Sequence, residues 1–177
     1  MTQPILDVLT ARIGQQFSLD KILAMFEIEV DSHIVKKNRR PIFRGKYSRP
    51  FIGKSKELFH AEKNIERQLH FQANRQKLSI PFTGRLWTIF HFYFTKDQFF
   101  CHDRKGNIDL NRIRETLPDL SNLYELPADS LQRCGIIEND SHIDSHDLSR
   151  RLVGPRTKLD IFILRADNEW KPKQAPK

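Results

Sequence analysis

The nine residues from Leu86 to Phe94 read LWTIFHFYF, an almost unbroken run of aromatic, aliphatic and β-branched side chains. So short and dense a run reads as a buried strand. A chain that carries it must fold so that other apolar surface covers it. His91 lies inside the run and reads as a packed core histidine rather than a ligand, because a lone histidine on a strand has no partner donors beside it.

The rest of the pattern supplies the cover. FEIEVDSHIV, residues 26–35, alternates apolar and polar as a half-buried strand does. Residues 55–77 predict a helix with Leu58, Ala61, Ile65 and Leu69 on one stripe. Residues 97–107 read as a polar loop. Residues 108–117 predict a helix with Leu110, Ile113 and Leu117 as its apolar face. Residues 118–133 read as a helical region broken around Pro118 and Pro127. TKLDIFILRA, residues 157–166, predicts a closing strand. Ahead of all this, residues 1–25 read as a helical arm, with Leu19, Ile22 and Leu23 continuing its apolar spacing. Residues 167–177 have the composition of a flexible basic tail. The order of elements predicts an α/β (α+β) fold: a small mixed sheet flanked by helices, spanning 26–166.

Charge narrows the function. Lys and Arg number 30 against 22 Asp and Glu, a formal net charge of +8. The surplus is concentrated. KKNRRPIFRGKYSRPFIGKSK, residues 36–56, holds nine Lys or Arg and no acid. Pro41, Gly45, Pro50 and Gly53 keep it irregular, and Phe43, Tyr47 and Phe51 sit among the charges. A basic loop with interleaved aromatics suits a phosphate backbone with exposed bases. Lys36, Lys37, Arg39, Arg40, Arg44, Lys46 and Arg49 are its expected DNA contacts.

Several classes are excluded. Two cysteines, Cys101 and Cys134, are too few for a disulfide framework. No apolar run approaches the ~18 residues of a membrane span. The opening MTQPILDVLTARIGQQ has no basic stretch followed by an apolar core, so no secretory leader is expected. No glycine-rich phosphate loop occurs. A cytoplasmic protein with no membrane partner is the expectation.

Phosphodiester cleavage on a basic scaffold needs carboxylates that hold a divalent cation and activate water. Asp109, in RKGNIDLNRIRETL, and Asp140, in GIIENDSHID, are the acids flanked by basic residues at element ends; Asp144 and Asp147 follow the second. Asp109 alone reads equally as a helix N-cap. DSHIDSHD also spaces Asp140, His142, Asp144 and His146 on one face of a strand. Four ligands along a straight strand at ~3.3 Å per residue extend too far to close on one Zn²⁺ or Mn²⁺ ion. A solvent-facing polar stripe is the better reading.

Three of these stretches together resemble the RusA family of Holliday junction resolvases. FEIEVDSHIVKKNRRPIFRGKYSRPFIGKSKELFHAEKNI is similar to the family's opening strand, basic loop and following helix. RKGNIDLNRIRETL is similar to its basic stretch before a DLDN-type motif that opens the next helix. GIIENDSHID…GPRTKLDIFI resembles its closing signature. The resemblance implies a homodimeric, Mg²⁺-dependent endonuclease (Mn²⁺ as substitute), bacterial or prophage-encoded. Such an enzyme binds four-way DNA junctions and nicks two strands in recombination and repair. It implies Asp140 as the downstream catalytic aspartate and Asp109 as one aspartate of the DLDN motif, the two holding the metal. In the preferred register Asp109-Leu110-Asn111 stands for D-L-D, with Asn111 in place of an acid. In the other, Asn107 replaces the first acid. Asn139 replaces the first of the closing acidic pair. The family's lysine, one helical turn after the motif, is Glu115 here, at i+4 from Asn111 on the expected helix, where its carboxylate would replace the lost ligand. PDLSNLYELPADSLQR reads as an insertion between the two aspartates. The alternative reading is a junction-binding protein of the same fold with weak or no catalysis. A third is an assembly protein that docks through residues 1–25.

Overall fold

The computed structural model describes residues 22–30, 42–43, 51–52, 55–115, 117–146 and 148–166. The expected arm (1–21 of it), the basic contacts Lys36, Lys37, Arg39, Arg40, Arg44, Lys46 and Arg49, Asp147 and the tail from 167 lie outside the described residues.

The sheet is built around the two most apolar strands. Strand β4 (Leu86–Phe94) lies antiparallel to β9 (Lys158–Arg165), and β9 lies antiparallel to β1 (Ile22–Glu29). Along its other edge β4 pairs in parallel with β7 (Ile143–Ser145) near its start and β8 (Arg150–Val153) near its end. The result is a five-stranded mixed sheet. Leu86, Phe90, Phe92 and Phe94 project into the main core, whereas Ile89 joins Phe162 and Leu164 in a smaller cluster. That is why LWTIFHFYF shows no polar alternation: β4 is buried on both faces. Two short strands, β2 (Ile42–Phe43) and β3 (Phe51–Ile52), pair with each other. The mixed α/β class expected from the sequence is the class observed.

The predicted first helix forms as α1 (Lys56–Gln76). Ser55 caps it, its Oγ accepting from the Leu58 N–H at 3.1 Å. Leu58, Ile65, Leu69 and Ala73 are buried, and Lys77 ends the helix at φ 52°. A row of amides beside this stripe does a second job. Gln68, Gln72 and Gln76, at i, i+4, i+8, meet the backbone of β1 edge-on. Gln72 accepts from the Glu27 N–H at 3.0 Å and donates to its carbonyl at 2.6 Å. Gln68 does the same to Glu29, at 2.9 Å each way, and Gln76 donates to the Met25 carbonyl at 2.8 Å. Among the described strands β1 lies at the edge of the sheet, and these side chains satisfy the backbone groups an edge would otherwise leave open. β1 begins at Ile22, so Ile22–Met25 belong to the sheet and not to the expected helical arm.

Two stretches differ from expectation. The region read as a polar loop and then a helix over 108–117 is a short helix α2 (Lys96–Phe99) and a hairpin of β5 (Phe100–His102) and β6 (Ile108–Ile113). The turn explains it. Asp103 Oδ1 accepts from the Lys105 and Asn107 N–H groups at 2.8 and 2.9 Å, and Gly106 sits at φ 83°. Asp and Gly so placed reverse the chain. Leu110 and Ile113, the supposed apolar face, are 59% and 54% exposed; Leu117 is buried. The stretch 118–133, read as a helical region broken around Pro118 and Pro127, is one continuous helix, α3 (Leu120–Arg133), which puts Leu123, Leu126 and Leu131 into the main core. Pro127 lies inside it without breaking it, since the ring removes one backbone N–H while burial of the stripe holds the turn. Gly135 at φ 64° closes the helix. No helix among the described residues is long and apolar enough to cross a membrane.

Candidate functional site

Asp109 lies on β6 opposite Cys101. Phe100 pairs with Ile113 and the next residue, Cys101, with Asp109, so Leu110, Asn111 and Arg112 form a bulge on one strand. Asp109 Oδ1 accepts from the Asn111 N–H at 3.1 Å and so holds the bulge. The hairpin's base is tied separately. Arg114 Nε donates to the Phe100 carbonyl at 2.8 Å, its Nη2 lies 3.0 Å from His102 Nδ1, and His102 Nε2 lies 3.2 Å from Asp97. Asn111 is in a strand and Glu115 in the turn after it, so the expected helix face shared by these two residues does not exist.

Asp140 opens a single 3-10 turn, Asp140–His142, just after Asn139, whose side chain accepts from the Ser141 N–H at 2.9 Å. It is exposed. The first residue of β7, Ile143, pairs with Leu86 at the start of β4, whereas the hairpin of Asp109 comes after the end of β4 through α2.

The polar stripe expected over 140–146 is divided. His142 lies 3.9 Å from Glu138, and Asp144 pairs with Arg85 Nε at 2.5 Å. His146 Nδ1 is 2.7 Å from Thr88 Oγ1, and its ring stacks on Tyr124 at 4.6 Å. The 3-10 turn breaks the strand register that would align the four residues. Among the described residues no three His, Cys, Asp or Glu side chains gather into a group that could hold a metal ion. Neither Asp109 nor Asp140 belongs to a group of that kind among the described residues.

The tetrapeptide that does open a helix is Asp119-Leu120-Ser121-Asn122 at the start of α3. Asp119 is the N-cap and is exposed, but its carboxylate makes no capping hydrogen bond. Pro118 precedes it, and the Pro118 carbonyl accepts from Arg151 Nη1 of β8 at 3.2 Å. Reading Asp109 as the motif passes over this residue. The signal is present in the sequence: Asp after Pro, then apolar residues at 120, 123, 126 and 131, then Gly135. Glu125, one turn further on, is exposed.

A second charged group braces β1 and β9. Lys158 Nζ lies 3.0 Å from Glu27, 3.0 Å from Asp160 and 4.6 Å from the Tyr93 ring centre. Arg156 bridges Glu27 at 2.9 Å and Glu29 at 2.5 Å. The Lys158 hydrogen bond, outweighing partial burial, holds Glu27 below its ordinary pKa, while burial pushes Asp160 up. Burial alone would lower the Lys158 pKa, but its two carboxylate partners hold it above the ordinary value. His91, beside Asp160 in the register, packs edge-on against Phe162 at 5.3 Å, as a core histidine.

No protein-family model matches this chain, and no curated protein matches it as a relative.

Proposed function

We propose that this chain is a structure-selective DNA endonuclease of the RusA type that acts on branched DNA as a homodimer and requires Mg²⁺. One observation carries the reading. α3 is opened by Asp119-Leu120-Ser121-Asn122 and followed by Gly135-Ile136-Ile137-Glu138-Asn139-Asp140 and the strands β7 to β9. That is the order the resemblance calls for: an Asp-Leu-x-Asn that opens a helix, an apolar turn, an acid, then the closing strands. In this register Asp119 takes the place first given to Asp109. Ser121 stands where the second aspartate is expected and Glu125 where the lysine is expected. The net charge of +8 and the basic stretch 36–56 supply attraction to the DNA backbone.

A specific observation favours a second reading, junction binding without efficient cleavage. The positions where the resemblance expects the second aspartate and the lysine hold Ser121 and Glu125, so the donor set around Asp119 and Asp140 lacks two of its expected members. Incubating the full chain with a labelled four-way junction and Mg²⁺ decides between the two. The endonuclease reading expects paired nicks that are lost in Asp119→Asn and Asp140→Asn and kept in Asp109→Asn. Salt-sensitive junction binding without nicks selects the second reading. Nicks that survive Asp140→Asn would sink the assignment of the site.

A further inference from the structure

The outer face of α1 carries a pattern that the core does not use. The amide row against β1 and the stripe of Leu58, Ile65 and Leu69 fix the helix's rotation. The opposite side therefore faces out. At ~100° per residue, Lys56, Lys63 and Arg67 fall along the middle of that side, and Phe59 and Phe71 fall on its two margins, about 120° apart. His60 and His70 lie between. All seven are exposed, Phe71 at 66% and Phe59 at 49%.

None of these positions is acidic. A solvated helix face ordinarily mixes signs in i,i+4 pairs. Here the acids lie only outside the two margins: Glu57, exposed in the first turn beyond the Phe71 side, and Glu66 beyond the Phe59 side, which is shared between Lys63 at 2.7 Å and Arg133 at 2.8 Å. Lys63 Nζ stands 6.0 Å over the Phe59 ring, and the His60 ring meets Phe59 edge-on at 6.0 Å. Exposed rings flanked by cations bind unstacked bases through their faces and phosphates through the charges. A second copy of the chain would bring the same sign against this stripe. A lipid surface needs a broad apolar face, and that of α1 is already spent on the core.

We infer that the outer stripe of α1 holds an unpaired DNA strand, with Phe59 and Phe71 stacking on bases and Lys56, Lys63 and Arg67 on the backbone. This rests on the branched-DNA reading and adds to it the element that grips the unpaired nucleotides at a branch. Twelve residues separate the two rings, about 18 Å along the helix axis, room for about five nucleotides at the 3.4 Å stacked spacing. In the sequence, the basic stretch 36–56 leads directly into α1, with Lys56 as its last residue.

Fluorescence anisotropy of the full chain with a labelled 30-nucleotide single strand, a blunt 30-base-pair duplex and a four-way junction tests it. Phe59→Ala/Phe71→Ala should weaken single-strand binding by about tenfold or more while leaving duplex binding within about twofold. Lys63→Gln/Arg67→Gln should flatten the salt dependence of single-strand binding by one to two phosphate contacts, roughly 0.7 in slope each. Both pairs are exposed, so circular dichroism and melting should match the parent protein. Wild-type binding to the single strand in both double variants overturns the stripe while leaving branched-DNA binding intact. Equal losses on duplex and single strand overturn the stacking role. A change in sedimentation mass on removing the two phenylalanines would make the face a self-association surface and overturn the inference. A wild-type chain that binds none of the three DNAs overturns both this inference and the branched-DNA reading.

Discussion

Two tetrapeptides ten residues apart, Asp109-Leu110-Asn111-Arg112 and Asp119-Leu120-Ser121-Asn122, begin alike and fold oppositely. The first lies in a bulged strand at the rim of the molecule, the second opens a core helix. In both, the aspartate is positioned as a local backbone partner. Only at 109 is its carboxylate used so, on the Asn111 N–H; at 119 it is left facing solvent. The difference lies in the residues downstream. After 119 come Leu123, Leu126 and Leu131, a stripe that the sheet can bury. After 109 come Leu110 and Ile113, for which no surface is waiting, and a turn just upstream folds β6 back onto β5. Tertiary burial, not the shared Asp-Leu start, selects the helix.

The contrast is broken or sharpened most strongly in the core. Leu123→Ala should destabilise the protein by about 2–5 kcal/mol, because it opens a cavity under α3 where relaxation is limited. Leu110→Ala, at an exposed bulge, should stay within about 0.5 kcal/mol. Urea unfolding monitored by fluorescence measures both. A cost at Leu110 comparable to that at Leu123 would mean the hairpin packs against something in solution, and the contrast between rim and core would fail.

The two cysteines report on the same two regions. Cys101 is half-buried on β5, and Cys134 is buried at the end of α3. Burial, reinforced by Glu66 nearby, pushes the Cys134 thiol up to about 11. At pH 8 one thiol should react with a disulfide reagent in the native protein and the second only after unfolding. The raised folded-state value means that Cys134 favours the folded state fully below the unfolded thiol's pKa near 9. That contribution is lost as the pH climbs towards 11. Two thiols that react at equal rates in the native state would place the end of α3 in the open.

Much of the fold is legible where period and burial agree. LWTIFHFYF, TKLDIFILRA and the stripe of α1 read as the elements they form, because their patterns report local geometry directly. The 108–117 stretch misleads because Leu110, Ile113 and Leu117 happen to recur at helical spacing, while the stronger signal lies in the Asp103–Asn107 turn beside them. Pro127 hides the continuity of α3, which reads as a broken helical region. The amide row of Gln68, Gln72 and Gln76 is not legible at all. Its partner is a strand edge some forty residues earlier, and nothing local marks a glutamine as an edge cover. For the proposed site, the acid at 140 stands out from its setting. The one at 119 is passed over because the region is read as a helix broken around Pro118 and as an insertion, while 108–117 is read as the motif's helix.

The smallest effect separates the two aspartates themselves. Asp109→Ala removes the acceptor that holds the Asn111 N–H, a cost of about 1 kcal/mol that comes from a hydrogen bond and so should change little with salt. Asp109→Asn keeps an oxygen there and should cost less. Asp119→Ala removes no capping hydrogen bond. It loses only the attraction between a carboxylate and the positive end of α3, about 0.3–1 kcal/mol, which salt screens. Unfolding both alanine variants in low salt and in roughly 1 M salt should therefore show a nearly constant cost at 109 and a vanishing one at 119. A cost at 119 that persists in high salt would show its carboxylate bound to the helix backbone after all. A carboxylate spent in that way is withdrawn from any metal or phosphate chemistry at the start of α3.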